Sequence, residues 1–183
     1  MTDIQAIFAG FGGQGVLFAG KVMAYAGLIE NRELSWLPSY GPEMRGGTAN
    51  CSVTLSDDPI GSPLVTKPDA LVAMNQPSFD KFIDDVVDGG VVIADSDLVV
   101  DIKPSDKVDI CVIPATSLAE DAGLSGLGNI VMLGKLWDKT RFCERETLDA
   151  AIDKCVPPSK AALIDKNKQA LQIGIAAERG FYA

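Results

Sequence analysis

The 183-residue sequence contains no histidine. Serine and cysteine nucleophiles commonly depend on a histidine base, and imidazole is the commonest metal ligand in proteins. The absence therefore excludes Ser-His-Asp and Cys-His catalysis and most metal sites. If the protein takes part in redox or bond-cleaving chemistry, a cofactor or another polypeptide must supply the reactive group.

The sequence has few cysteines, and its basic residues are fewer than its acidic residues. The four cysteines lie far apart, and none has the Cys-x-x-Cys spacing of iron–sulfur or structural zinc sites. We interpret them as buried, reduced thiols. Lysine and arginine together number 16 against 25 acidic residues, which gives a formal net charge of -9. Nucleic acids and anionic membranes attract clustered cations, so this charge argues against both as partners.

Long hydrophobic runs are also missing. No uninterrupted apolar stretch approaches the roughly 20 residues that span a bilayer, and the N-terminus lacks the features of a signal peptide. We therefore expect a cytoplasmic protein. Hydrophobic residues make up 47% of the chain, without repeats or low-complexity tracts, which is typical of ordinary globular proteins. We expect one domain over residues 1–183.

Short apolar segments alternate with amphipathic ones along the chain. We predict strands at 4–9, 34–37, 50–55, 70–74, 91–94 and 110–113. We predict helices that begin near Val16, at 76–87, at a capping box formed by Ser117 and Glu120, and at 129–137, 144–155 and 158–179. This alternation indicates an α/β fold with three layers, α/β/α, in which a mostly parallel, Rossmann-like sheet lies between helices.

The most informative motif is Gly-Phe-Gly-Gly-Gln-Gly at 10–15, between the first predicted strand and helix. Gly10, Gly12 and Gly15 match the dinucleotide-binding pattern G-x-G-x-x-G, in which backbone N–H groups at a helix N-terminus contact phosphate. The full pattern also needs an acidic residue at the end of the second strand. The first acidic residue after that strand is Glu43, which disfavours an NAD or FAD site.

Two further residues of this motif favour other interpretations. Gly13 is an additional glycine, and Gln14 adds a side-chain amide to the turn. They suggest a loop shaped for contact with a ligand other than an ordinary dinucleotide. The alternative is a loop that serves only for close packing of the strand and the helix.

A second unusual segment is Ser-Tyr-Gly-Pro-Glu-Met-Arg-Gly-Gly at 39–47, which is too rich in glycine and proline for regular structure. It places Glu43 and Arg45 at the end of the predicted sheet where ligands bind in α/β proteins. The forked guanidinium of Arg45 suits a carboxylate or a phosphate. The alternative is an ion pair, either between Arg45 and Glu43 or between domains, that only fixes the loop.

These two segments, together with Gly-Ser-Pro at 61–63 and Asn-Ile-Val-Met-Leu-Gly at 129–134, resemble the gamma subunit of the 2-oxoacid:ferredoxin oxidoreductases over essentially the whole chain. The resemblance implies a component of a multisubunit enzyme that converts a 2-oxoacid, such as pyruvate or 2-oxoglutarate, and coenzyme A to acyl-coenzyme A, carbon dioxide and a reduced acceptor. It implies alpha and beta partner subunits, with or without a ferredoxin-like delta subunit, and ferredoxin or a similar acceptor. Thiamine diphosphate, magnesium and iron–sulfur clusters belong to those partners in this family.

The sequence is consistent with that division of labour. It contains no Gly-Asp-Gly motif of the kind that binds thiamine diphosphate and magnesium. We expect the chain to bind no cofactor alone, to be inactive in isolation, and to cover an active site that its partners form. The residues expected to face a ligand or a partner are Gly12, Gly13, Gln14, Gly15, Tyr40, Glu43 and Arg45. Two alternatives remain, a free-standing NAD-binding protein and a purely structural spacer subunit.

Overall fold

A six-stranded sheet forms the centre of the computed structural model, which describes residues 3–39 and 48–180. The strands are β1 (Ile4–Phe11), β2 (Glu33–Ser39), β3 (Thr48–Ser56), β4 (Ala70–Ala73), β5 (Val91–Asp95) and β6 (Asp109–Ile113). Their order in the sheet is β2-β3-β1-β4-β5-β6. Strands β1, β4, β5 and β6 pair in parallel, whereas β3 is antiparallel to both β1 and β2. All the described strands except β3 therefore run in one direction, which confirms the mostly parallel sheet.

Helices cover both faces of the sheet. They are α1 (Val16–Ile29), α2 (Gln76–Phe82), α3 (Ala115–Asp121), α4 (Gly128–Thr140), α5 (Arg145–Cys155) and α6 (Ile164–Ala176). Helices α1 and α3–α6 share one core with Phe8, whereas α2 packs on the opposite face, where Phe79 joins the core of Ile7. The predicted three-layer α/β/α architecture is confirmed. Within the described ranges, no helix is long and apolar enough to cross a membrane.

The helix boundaries depart most from the sequence prediction in two helices. Helix α2 ends at Phe82 and gives way to a 3₁₀ turn at Ile83–Asp85, so it is shorter than the predicted 76–87. The last helix, predicted at 158–179, begins as a 3₁₀ turn at Pro158–Leu163. Only the following segment is α-helical, and it ends at Ala176. Amphipathic spacing alone does not distinguish 3₁₀ turns from the first turns of an α-helix.

The predicted capping box is wrong, because Ser117 and Glu120 both lie inside α3. Two aspartates cap that helix instead, one at the end of β5 and one just beyond it. The carboxylate of Asp95 accepts a hydrogen bond from the Ala115 N–H at 3.1 Å, and that of Asp97 accepts one from the Ser117 N–H at 2.7 Å. Caps supplied from another element cannot be identified from local spacing.

The sheet contains a topological switch point between β1 and β4. Strand β1 is followed by α1 on one face of the sheet, and β4 is followed by α2 on the other. Because these two strands are neighbours, a crevice opens beyond their carboxyl ends. Ligands of open α/β sheets bind at such a point.

Candidate functional site

The glycine loop, residues 12–15, lies at this switch point. Gly12 and Gly13 are exposed, whereas Gln14 and Gly15 are partly buried. Gly13 and Gly15 have φ angles of 95° and 76°, a backbone region that glycine adopts without strain. Glycine at these two positions therefore permits a sharp turn from β1 into α1. Gly15 is the residue that precedes the first turn of this helix.

The side chain of Gln14 connects the two strands that flank the crevice. Its Oε1 accepts a hydrogen bond from the N–H of Phe11 at 2.6 Å, at the end of β1. Its Nε2 donates to the carbonyl oxygen of Met74 at 2.9 Å, just beyond β4. Gln14 also lines the cavity at the switch point, so it both faces the site and joins its walls.

The N-terminus of α4 lies beside the N-terminus of α1. Asn129, in the first turn of α4, donates from Nδ2 to the carbonyl oxygen of Gly15 at 2.9 Å. Asn129 is only 3% exposed, and its Oδ1 has no hydrogen-bond partner among the described residues. In the sequence, Asn129 belongs to a predicted helix and to the segment 129–134 that carries the family resemblance, but its contact with Gly15 across 114 positions leaves no local signal.

A cavity of about 290 Å³ opens where these elements meet. Its walls include Gly13 and Gln14 from the glycine loop, Thr116 and Glu120 from α3, and Gly126 beside α4. The residues at the N-cap positions of α1 and α4, Gly15 and Leu127, do not cap these helices with a side chain. Both helices exceed three turns, so their free N–H groups and aligned peptide dipoles favour an anion here, whereas the carboxylate of Glu120 opposes one.

A second cavity, of about 400 Å³, adjoins the first at Gly126. Lys21 and Lys160 line it, together with apolar groups and the buried amides of Asn129 and Asn167. Its described lining contains no carboxylate, although the chain as a whole is acidic. The electrostatics of this cavity therefore also favour an anionic group.

The hydroxyl of Thr116 is oriented by a buried carboxylate that sequence analysis missed. Asp95 is fully buried, and its Oδ2 accepts a hydrogen bond from Thr116 Oγ1 at 2.6 Å. Burial raises the pKa of Asp95 above its ordinary value, against the opposing effect of this hydrogen bond. The signal available in the sequence was an aspartate directly after a buried apolar strand.

The structure brings Gly12, Gly13, Gln14 and Gly15 together at the switch point. The other sequence-predicted site residues, Tyr40, Glu43 and Arg45, lie outside the described residues. Strand β2 ends at Ser39, immediately before that segment, and carries no acidic residue at its carboxyl end. The residue that would hold a ribose in a dinucleotide site is thus missing from the end of β2.

The thiols do not fit an iron–sulfur cluster. All four cysteines are free and buried. Burial raises the pKa of Cys51 to about 12 and that of Cys155 to about 11, so both are protonated thiols at neutral pH. No group of three or more Cys, Asp or Glu side chains in the described ranges could hold a metal ion.

Comparison with known proteins identifies relatives over nearly the whole chain. Residues 5–177 match the family model described as pyruvate ferredoxin/flavodoxin oxidoreductase. The chain is 41% identical over 173 residues to the ketoisovalerate oxidoreductase subunit VorA of Methanothermobacter thermautotrophicus, covering 94% of this chain and 36% of VorA. It is 44% identical over 152 residues to the 2-oxoglutarate synthase subunit KorC of Methanocaldococcus jannaschii, covering 81% of each protein.

A solved structure shows the same architecture. The crystal structure of the keto/oxoacid ferredoxin oxidoreductase gamma subunit from Geobacter sulfurreducens superposes with a TM-score of 0.81 at 32% identity. The match covers 94% of this chain and 96% of the other. The chain therefore spans nearly all of one relative and about a third of another, VorA.

Proposed function

Because the chain belongs to the pyruvate ferredoxin/flavodoxin oxidoreductase family, we propose that it is the gamma subunit of a multisubunit 2-oxoacid:ferredoxin oxidoreductase. The complex would convert a 2-oxoacid and coenzyme A to acyl-coenzyme A and carbon dioxide, and pass the electron pair to ferredoxin or a similar acceptor. The chain would close over an active site formed by alpha and beta subunits, with or without a ferredoxin-like delta subunit.

The observation that carries this proposal is the convergence of the N-termini of α1 and α4 on the switch point. The resulting site favours an anion yet presents no histidine, reactive thiolate or metal cluster among the described residues. Such a site can bind and orient a charged cosubstrate. Coenzyme A has the required phosphates, and the neighbouring lysine-lined cavity supports the same assignment.

The remaining site residues have roles in this proposal that follow from their chemistry. The backbone amides of 12–15 would contact a phosphate or a partner loop, and Arg45 would bind an anionic group of the ligand. Tyr40 would contribute packing or orientation, and Glu43 would face the same ligand or a partner. The described residues include no group of three or more Cys, Asp or Glu side chains that could hold a metal ion, which supports assigning the metal-containing groups to partner subunits.

Thiamine diphosphate would supply the chemistry at the keto carbon, and iron–sulfur clusters would carry the electrons. We assign these groups and magnesium to the partner subunits. The chain's own contribution is to bind coenzyme A, exclude water and complete the walls of the active site. A free-standing NAD-binding protein is less consistent with β2, which has no acidic residue at its carboxyl end.

Co-purification from the native source tests the assignment. We expect this chain to be recovered with alpha and beta subunits, and the isolated chain to show no oxidoreductase activity. Recovery of the chain alone, together with micromolar binding of NAD in a calorimetric titration, would favour the NAD-binding alternative instead.

Arg45 offers a test of the site within the complex. Arg45→Ala should raise the KM for coenzyme A while the complex stays assembled. Arg45→Lys keeps the charge but not the bidentate geometry, so it should restore part of the loss. Unchanged turnover and unchanged Michaelis constants in an assembled Arg45→Ala complex would contradict the role given to this residue.

A further inference from the structure

We propose that Gln14 is a positioning residue, whose side-chain amide is inserted between the backbone groups of Phe11 and Met74 at the ends of β1 and β4 and thereby sets the position of the glycine loop. The inference rests on the proposed function in one respect, the binding of coenzyme A by that loop. It concerns how the loop is held rather than what it binds.

At the end of the hydrogen-bond ladder between β1 and β4, the side chain of Gln14 takes the place of a direct backbone hydrogen bond. The N–H of Met74 donates to the carbonyl oxygen of Ala9 at 2.8 Å. In a regular parallel ladder, the N–H of Phe11 would next donate to the carbonyl oxygen of Met74. The carboxamide of Gln14 stands between these two groups, accepting from Phe11 at 2.6 Å and donating to Met74 at 2.9 Å.

This insertion holds the two strand ends apart by the width of one amide group. The backbone N–H of Gln14 also donates to the carbonyl oxygen of Phe11 at 3.2 Å, which closes the turn. Gln14 is therefore anchored through its main chain and through its side chain. The exposed residues Gly12 and Gly13 lie between Phe11 and Gln14, so their positions follow from these bonds.

Gly10 provides the room that the amide needs. A Cβ atom at this position would lie 2.7 Å from Oε1 of Gln14 and 3.1 Å from the Cβ of Met74. Its φ angle is not in the left-handed region, so the requirement for glycine here is steric. The first glycine of the motif thus accommodates the side chain of the glutamine four positions later.

The chemistry of the bridge restricts the residue at this position. One planar group must accept from an N–H and donate to a carbonyl oxygen, which glutamine does at any pH. A glutamic acid has the same shape but donates only when protonated, and methionine offers neither bond. Among the described residues, the titratable group that shares the cavity is Glu120, and Asp95 contacts its wall through Thr116. Each variant is therefore compared with wild-type protein at the same pH, so that any effect of Glu120 or Asp95 is common to both proteins.

The experiment compares Gln14→Met and Gln14→Glu with wild-type protein. In the full-length isolated chain, we expect amide hydrogen exchange at residues 11–15 to accelerate about tenfold or more in Gln14→Met, because two anchoring bonds are lost. Gln14→Glu should match wild type at acidic pH and approach Gln14→Met as the carboxyl group ionises.

In the complex, we expect the KM for coenzyme A to rise about tenfold to a hundredfold in Gln14→Met, with a smaller change in kcat. Gln14→Glu should add a pH dependence to this KM that wild type lacks. Gln76→Met is the matched control, because Gln76 on α2 also uses its carboxamide to hold backbone groups, at Val100 and Asp101. This control should leave the KM for coenzyme A unchanged.

Wild-type exchange at residues 11–15 in both Gln14 variants would overturn the proposal. Faster loop exchange without any change in the KM for coenzyme A would also overturn it, because the loop would then not position that ligand. A wild-type complex that lacks 2-oxoacid oxidation would instead contradict the proposed function, and the exchange measurement would still decide whether Gln14 holds the loop.

Discussion

The Nδ2 of Asn129 contacts Gly15 and donates a hydrogen bond of 2.9 Å to the carbonyl oxygen of Gly15. A Cβ atom on Gly15 would be 2.6 Å from that nitrogen. The first turn of α4 and the last residue of the glycine loop are therefore packed without space for a methyl group. This contact joins the helices whose N-termini form the candidate site.

Gly15→Ala should therefore be more destabilising than Gly13→Ala. Both positions have left-handed φ angles, so each substitution costs about 1–2 kcal/mol of backbone strain. Only Gly15 also meets Asn129, since nothing lies within 4 Å of a Cβ on Gly13. We expect an additional loss of about 1–3 kcal/mol in the free energy of unfolding of Gly15→Ala, measured by urea denaturation.

A double-mutant cycle isolates the contact. In an Asn129→Ala background, Gly15→Ala should cost no more than Gly13→Ala does in wild type, because the colliding amide is gone. Fully additive effects of Gly15→Ala and Asn129→Ala would show that the two residues are not coupled.

The crossing of α4 and α6 gives a second prediction about stability. A Cβ on Gly134 would collide with the carbonyl oxygen of Leu171, and one on Gly174 would collide with that of Val131. Backbone atoms cannot move aside as a flexible side chain can, so we expect Gly174→Ala to cost about 3 kcal/mol or more. Gly61→Ala is the control, because nothing lies within 4 Å of that position. Equal unfolding midpoints for these two variants would contradict the close helix crossing.

Ionisation of buried Asp95 should make the stability of the protein depend on pH. Its pKa is raised in the folded protein by burial, so the folded state holds the proton more tightly than the unfolded state does. The stabilisation is fully present below the ordinary value of 3.8 and is lost as the pH rises through the raised folded pKa. Asp95→Asn should abolish this loss, since an amide does not ionise.

The Asp95→Asn variant can keep the hydrogen bonds that Asp95 makes with Asp97, Ala115 and Thr116. Its Oδ1 can accept from the N–H groups of Asp97 and Ala115, and its Nδ2 can donate to Thr116 Oγ1. Asp95→Ala keeps none of them and should destabilise the protein by about 1–3 kcal/mol. Unfolding free energies from about pH 4 to about pH 7 test both statements. Parallel curves for wild type and Asp95→Asn would refute the titration of Asp95 in this range.

The cysteines should be unreactive in the folded protein. Their thiols are buried, and burial raises the pKa of Cys111 and Cys143 as well as that of Cys51 and Cys155. Thiolates are the reactive form, so a thiol reagent at about pH 8 should label the native protein slowly and all four cysteines after denaturation. Rapid labelling of a native cysteine would contradict its burial.

The sequence predicts the fold class and the glycine loop because both depend on local patterns. Alternating apolar runs locate β1 and α1, and the glycines mark the turn between them. The partners of that turn are not local. Gln14 reaches Met74 only because β4 lies beside β1, and Asn129 reaches Gly15 only because α4 packs beside α1. Sheet order and helix packing determine these contacts, and neither can be predicted from the spacing of residues.

Acceptor reduction by the assembled complex tests the central claim most directly. Alpha and beta subunits would be assayed for 2-oxoacid- and coenzyme A-dependent reduction of ferredoxin, with and without this chain. We predict full activity only when the chain is present, and no activity from the chain alone. Equal rates with and without the chain, at saturating coenzyme A and with assembly verified, would contradict its assignment as a required subunit of the active site.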